Sequence, residues 1–256
     1  LFSFFCSLGF LKTEQKTFYA ALKNNLTKLS FYSLILVGFN VNFINKQDLD
    51  TIFVVHNVIH KNRAKNMSLQ EEINIASEVL AQGGLILYPT DTIWGLGCDA
   101  GNPEAVEKIY AIKKRAENKA MIVLLDNPGK LDYYVQDLPD LAWDLIELSD
   151  KPLTIIYQGA KNLAKNLIAE DGSVAIRISK EPFSQGLCRA FRKAIVSTSA
   201  NISGMPAPGC FSEISDDIIS AVDYVVNYRR KEAAGKARPS SIISLGSRGE
   251  IKIIRP

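Results

Sequence analysis

From residue 67 onward, apolar positions recur with two alternating periods. Leu69, Ile73, Ala76 and Leu80 share one side of a helix. Ser68 can cap that helix, Glu71 completes a capping box, and Gly83-Gly84 stops it. Leu85-Ile86-Leu87 then reads as a buried strand over 85–88. Asn102-Pro103 opens a second helix, with Val106, Ile109, Tyr110 and Ile112 on its apolar face. Apolar runs at 121–125, 153–157, 174–178, 195–198, 223–226, 241–245 and 251–254 read as strands. Helical spacing returns near 128–133, 138–148 and 182–193. Such interleaving predicts one α/β (α+β) domain over 67–256, a twisted mixed sheet with flanking helices. Ala233–Pro239 is the expected mobile loop.

The first 66 residues differ. They are rich in Phe, Asn and Lys and sustain neither period, and the first Met is Met67. A non-native or over-extended translation start is the favoured reading; an organellar presequence and an accessory segment stay open. Leu34-Ile35-Leu36-Val37 is too short to span a bilayer. Charge follows the same division. Residues 1–66 hold 8 Lys and Arg against 3 Asp and Glu, whereas 67–256 hold 22 against 24. The net +3 of the whole chain therefore arises in the first segment, and the later one is not a globally basic nucleic-acid binder.

Composition narrows the chemistry further. The 256 residues are 47% hydrophobic and 22% charged, which fits a soluble globular protein. Four Cys without C-x-x-C spacing, and two His that both precede residue 61, argue against a Cys/His zinc site and a His-based triad. Unpaired thiols favour a reducing compartment, so a cytoplasmic location is expected. P-loop and dinucleotide fingerprints are both missing, so a polyphosphate would need Lys, Arg, hydroxyls and loop amides.

Two hydroxyl-rich segments each follow a short apolar strand. One is Tyr88-Pro-Thr90-Asp-Thr92-Ile-Trp94-Gly95-Leu-Gly97, a polar loop broken by glycines; the other is Ser197-Thr-Ser199-Ala-Asn201-Ile-Ser-Gly204. Each alone fits a structural turn or cap as well as a binding loop, and Trp94 alone fits the core. Lys113, Arg115 and Lys119 lie in a charge run that could be a solvated helix end or one wall of a phosphate site. Strand alternation puts Ser173, Ala175 and Arg177 on one face. An Arg there needs a partner, either an internal carboxylate or a ligand's carboxylate or phosphate.

In order, the chain carries Tyr-Pro-Thr-Asp-Thr-Ile-Trp-Gly-Leu-Gly-Cys-Asp-Ala from Tyr88, Ile-Lys-Lys-Arg at 112–115 with Lys119 downstream, Val-Ala-Ile-Arg at 174–177, Ser-Thr-Ser-Ala-Asn-Ile-Ser-Gly from Ser197, Pro-Ser-Ser-Ile-Ile at 239–243 and Ile-Ile-Arg-Pro at the end. This succession resembles the YrdC/TsaC family of threonylcarbamoyl-AMP synthases in its short, single-domain form. The resemblance covers 67–256 and implies a YrdC-like domain around a concave basic cavity. It implies that L-threonine, bicarbonate and ATP give threonylcarbamoyl-AMP and pyrophosphate, for N6-threonylcarbamoyladenosine at tRNA position 37. By resemblance, threonine meets Thr92, Trp94, Arg177, Ser199 and Ser240. ATP meets Arg115, Lys119, Ser173, Asn201, Gly209 and Arg255, and Lys113 and Arg115 act at the reacting groups. Mg²⁺ is expected with ATP, held by no protein side chain. Expected partners are tRNA or double-stranded RNA and a downstream threonylcarbamoyl transferase complex, with no membrane. A non-catalytic RNA-binding module is the alternative. Departures from the family pattern are Lys114 and Ala116 in place of Gly and Pro, Ala120 in place of Pro, Trp94 in place of Tyr and Ser244 in place of Asp.

Overall fold

The computed structural model describes residues 67–114, 121–233 and 239–256. The expectations for 1–66, and nearly all of the loop at 233–239, lie outside the described residues.

Local signals place the first helices where the sequence puts them. Helix α1 (Leu69–Ala81) begins at Ser68, whose hydroxyl accepts from the Glu71 amide while the Glu71 carboxylate accepts from the Ser68 amide. Helix α2 (Pro103–Lys113) begins at Asn102, whose side chain accepts from the Ala105 amide. Four shorter α-helices follow among the described residues: α3 (Leu131–Tyr134), α4 (Leu141–Glu147), α5 (Pro182–Phe191) and α6 (Asp216–Ser220). None of the described helices is long and apolar enough to cross a membrane.

The strands are β1 (Ile86–Tyr88), β2 (Gly95–Gly97), β3 (Ile122–Leu125), β4 (Leu153–Tyr157), β5 (Val174–Ile178), β6 (Ile195–Ser199), β7 (Tyr224–Val225), β8 (Ser241–Leu245) and β9 (Ile251–Arg255). They form one mixed sheet in the order β7-β1-β2-β6-β3-β5-β4-β8-β9. Pairs β1·β7, β3·β5 and β4·β8 are parallel and the rest antiparallel.

Strand β2 corrects the sequence reading, which made Gly95-Leu96-Gly97 part of a broken loop. A Cβ on Gly97 would lie 2.6 Å from Cε1 of Tyr88 and 2.8 Å from the Val196 carbonyl oxygen. These glycines let three strands approach closely; they do not interrupt them.

Helices α1 and α5 cover part of one sheet face. Ile73, Ala76 and Leu80 of α1 and Phe183, Leu187 and Cys188 of α5 enclose Ile86, Tyr88, Leu124 and Ile195. Gly186 permits the contact between the two helices, because a Cβ there would meet Cδ1 of Ile73 at 2.6 Å. A second cluster, with Val106, Ile109, Leu131 and Tyr134, packs on Val123, Leu125, Ile155 and Ile176. Cross-strand register then aligns Ser199 with Gly95, Ser197 with Ile122, Leu124 and Thr154 with Arg177, and Ile242 with both Thr154 and Arg255.

Candidate active site

That alignment puts Leu124, Arg177, Thr154, Ile242 and Arg255, from five strands, in one row across the sheet. Beside it lies a cavity of about 340 Å³, lined by Thr92, Trp94, Arg177, Ser199, Ser240 and Arg255 among others. All five residues expected to meet threonine are thus gathered, together with one expected to meet ATP. Thr90, Gly95, Ser197 and Thr198 also line the cavity, and Met121, Ile122, Ala207, Pro239 and Ile242 supply its apolar wall. Among the described residues the lining holds two guanidinium groups and no carboxylate.

The turn after β1 is held by its own hydroxyl. Thr90 Oγ1 donates to the Ile93 carbonyl at 2.7 Å, accepts from the Thr92 amide at 3.2 Å, and lies 3.1 Å from Thr92 Oγ1. Trp94 is both wall and core: it faces the cavity, and its ring packs 4.9 Å from that of Phe211.

Arg177 is only 3% exposed, and the structure shows the internal carboxylate that was one of its two readings. Its Nη2 lies 3.1 Å from Oδ1 of Asp91, an internal ion pair, while the guanidinium lines the cavity. Its Nε is buried and has no hydrogen-bond acceptor. Buried donors without an acceptor are rare, which marks Arg177 as incompletely satisfied by the protein around it. Arg255 donates from Nε to the Ser240 carbonyl at 2.8 Å and from Nη2 to Ser240 Oγ at 3.3 Å. Ser240 Oγ is fixed in turn by Thr154 Oγ1 at 2.8 Å. Partial burial pulls the Arg255 guanidinium below its usual pKa, and the charge of Arg177 adds to the shift. Two cations facing one cavity repel each other, and an anion between them relieves that repulsion.

Lys113 is 2% exposed, so it is not part of a solvated helix end. Its Nζ donates to the carbonyls of Ser199 at 2.5 Å and Asn201 at 2.6 Å, with Asn201 Oδ1 at 3.4 Å. It therefore stands behind the turn that follows β6, away from the cavity lining. Asn201 continues this bracing by donating from Nδ2 to the Met205 carbonyl at 2.6 Å. Gly209 donates its amide to Glu213, and Ser173 donates its amide to Asp171. Ser173, Asn201 and Gly209 do not line the cavity. Arg115 and Lys119 lie outside the described residues.

Sequence reasoning did not assign Asp91, Ser197 or Thr198 to the site. For Ser197 a signal existed, since β6 alternation puts it on the same face as Ser199. For Asp91 none did, because its partner is far along the chain.

Comparison with known proteins gives this arrangement a family. Residues 78–256 match the profile of Sua5, YciO and YrdC, described as "Telomere recombination". The chain belongs to the Sua5/YciO/YrdC family. Within it, the chain is 37% identical over 179 residues to the threonylcarbamoyl-AMP synthase of Pseudoalteromonas translucida, covering 69% of this chain and 94% of that one. The Photobacterium profundum enzyme of the same name is 34% identical over 166 residues, 64% of this chain and 88% of that one. Among solved structures, E. coli YciO matches with a TM-score of 0.64 at 24% identity, covering 74% of this chain and 90% of that one. P. abyssi Sua5 complexed with L-threonine matches with a TM-score of 0.65 at 23% identity, covering 75% of this chain and 55% of Sua5. The chain thus spans a little over half the length of Sua5, and these two likenesses concern the fold alone.

Proposed function

We propose that this chain is a threonylcarbamoyl-AMP synthase. The observation that carries the reading is the pair Arg177 and Arg255 on one cavity whose described lining residues include no carboxylate. Relatives bearing that name across nearly their whole length support it.

Arg177 takes the threonine carboxylate, through a charge-assisted contact made stronger by burial. Thr92, Ser199 and Ser240 offer hydroxyls to the remaining polar atoms, and Trp94 forms the adjacent wall. Threonine's amine attacks the carbon of bicarbonate, water leaves, and a carbamate forms. A carbamate oxygen then attacks the α-phosphorus of ATP. The bond to the bridging oxygen breaks, and pyrophosphate departs with the electron pair. No covalent enzyme nucleophile is needed, so alignment and charge neutralisation supply the acceleration. Arg255 offsets developing charge from the cavity side, and Arg115 and Lys119 are assigned to the phosphates with it. Lys113 acts by fixing the turn from Ser199 to Asn201.

Among the described residues no group of three or more His, Cys, Asp or Glu could hold a metal ion. Mg²⁺ is assigned to the phosphates of ATP itself. The product is a mixed anhydride, to be consumed by a transferase acting on tRNA, and a cytoplasmic location goes with that reading.

The test is pyrophosphate release from ATP by the full chain. Release should require both threonine and bicarbonate. Release that ignores either, or none with all three present, overturns the reading.

A further inference from the structure

The carboxylate paired with Arg177 belongs to neither loop residue expected to meet substrate. We propose that Asp91 is a positioning residue: it fixes the Arg177 guanidinium at the cavity wall, where that group meets the bound amino acid. The inference rests on the reading of Arg177 as the carboxylate anchor.

Three observations support it. First, Asp91 does not line the substrate cavity. It lines a second cavity of about 250 Å³, walled by Leu153, Ile155, Ile176 and Ile178. The ion pair stands between the two spaces, so Asp91 reaches the first only through Arg177. Second, the turn that carries Asp91 is fixed on both sides. Thr90 Oγ1 closes it from within, and Arg229 donates from Nη1 to the Thr90 carbonyl at 3.2 Å. Third, the pair is incomplete. Asp91 Oδ1 contacts Nη2 at 3.1 Å outside hydrogen-bond geometry, and Arg177 Nε has no acceptor. One carboxylate holds the group in place without saturating it.

Burial also pushes the Asp91 carboxyl above its ordinary pKa, against the opposing pull of Arg177. Arg177 is the main group opposing that shift. Without the Asp91 charge the flexible Arg177 side chain loses its one described restraint, and a displacement of about 1 Å at an anchoring group can lower efficiency by roughly 100-fold.

The experiment is steady-state pyrophosphate release by the full chain carrying Asp91→Asn, which keeps the shape and removes the charge. The threonine KM should rise about 10- to 100-fold, while the ATP KM stays within about twofold and kcat within about threefold. Asp91→Glu, which keeps the charge, should give a threonine KM between wild type and Asp91→Asn. Asp91→Ser is a second neutral replacement and should show the same split, which covers a failure of Asp91→Asn to fold. In an Arg177→Ala background, Asp91→Asn should add almost nothing. An unchanged threonine KM, an equal rise in both KM values, or a fall in kcat alone overturns the proposal. Wild-type chain that releases no threonine-dependent pyrophosphate overturns the functional reading instead.

Discussion

The ammonium of Lys113, the last residue of α2, lies 2.6 Å from the carbonyl oxygen of Asn201 and 2.5 Å from that of Ser199. A helix end and the turn after β6 are thereby joined through one buried cation. Lys113→Met leaves both carbonyls without this donor, at a cost of about 1–3 kcal/mol. The melting temperature should fall by roughly 3–10 °C. Lys113→Arg should not restore it, because a planar guanidinium does not fit a slot built for a compact ammonium. Thermal unfolding of both variants decides; an unchanged Tm in Lys113→Met means that the tie is not structural.

Arg177→Ala removes the anchor directly. Losing a partly buried charge-assisted contact typically costs about 2–4 kcal/mol, or roughly 30- to 1000-fold. The threonine requirement should rise by that factor, well beyond any change in the ATP requirement. Initial rates at varied threonine and fixed ATP, then the reverse, separate the two. A collapse confined to ATP would move Arg177 to the phosphates.

Gly97→Ala tests the close approach of β1, β2 and β6. The new methyl would sit 2.6 Å from the Tyr88 ring and 2.8 Å from the Val196 carbonyl oxygen, and Tyr88 is fully buried. Overpacking of this kind costs about 1–3 kcal/mol. Urea unfolding should show a lower midpoint with an unchanged slope. A wild-type midpoint would mean that the strands separate freely.

The site and the capped first helix all follow Met67. A chain beginning at Met67 should therefore fold and release pyrophosphate at the rate of the full chain. An insoluble or inactive product, beside an active full chain, would give the first 66 residues a necessary role.

Local chemistry was legible in the sequence, and tertiary chemistry was not. The Ser68–Glu71 capping box and the Asn102–Pro103 helix start involve residues within three positions of each other. Alternation within β5 put Arg177 on a definite face, and the structure places that face toward the cavity. The sequence could not choose between an internal ion pair and a ligand for Arg177, because the answer depends on Asp91, which reaches it from the loop after β1 although three strands separate β1 from β5. Lys113 misleads for a related reason: a lysine in a charged run reads as solvated, and only the turn folded over it makes it buried. Gly95-Leu96-Gly97 looks like a break because the atoms that demand glycine, on Tyr88, Val196 and Thr198, are not adjacent in the chain.

Gly95 leaves the cavity with a backbone floor: a Cβ there would already be 3.2 Å from the Thr198 carbonyl oxygen and 3.3 Å from Ser197 Oγ. A methyl introduced from below needs Thr198 and Ser197 to give by a few tenths of an ångström. Any effort to make this protein accept a different amino acid is therefore better directed at the sides, through Trp94, Met121, Ile122 or Ile242.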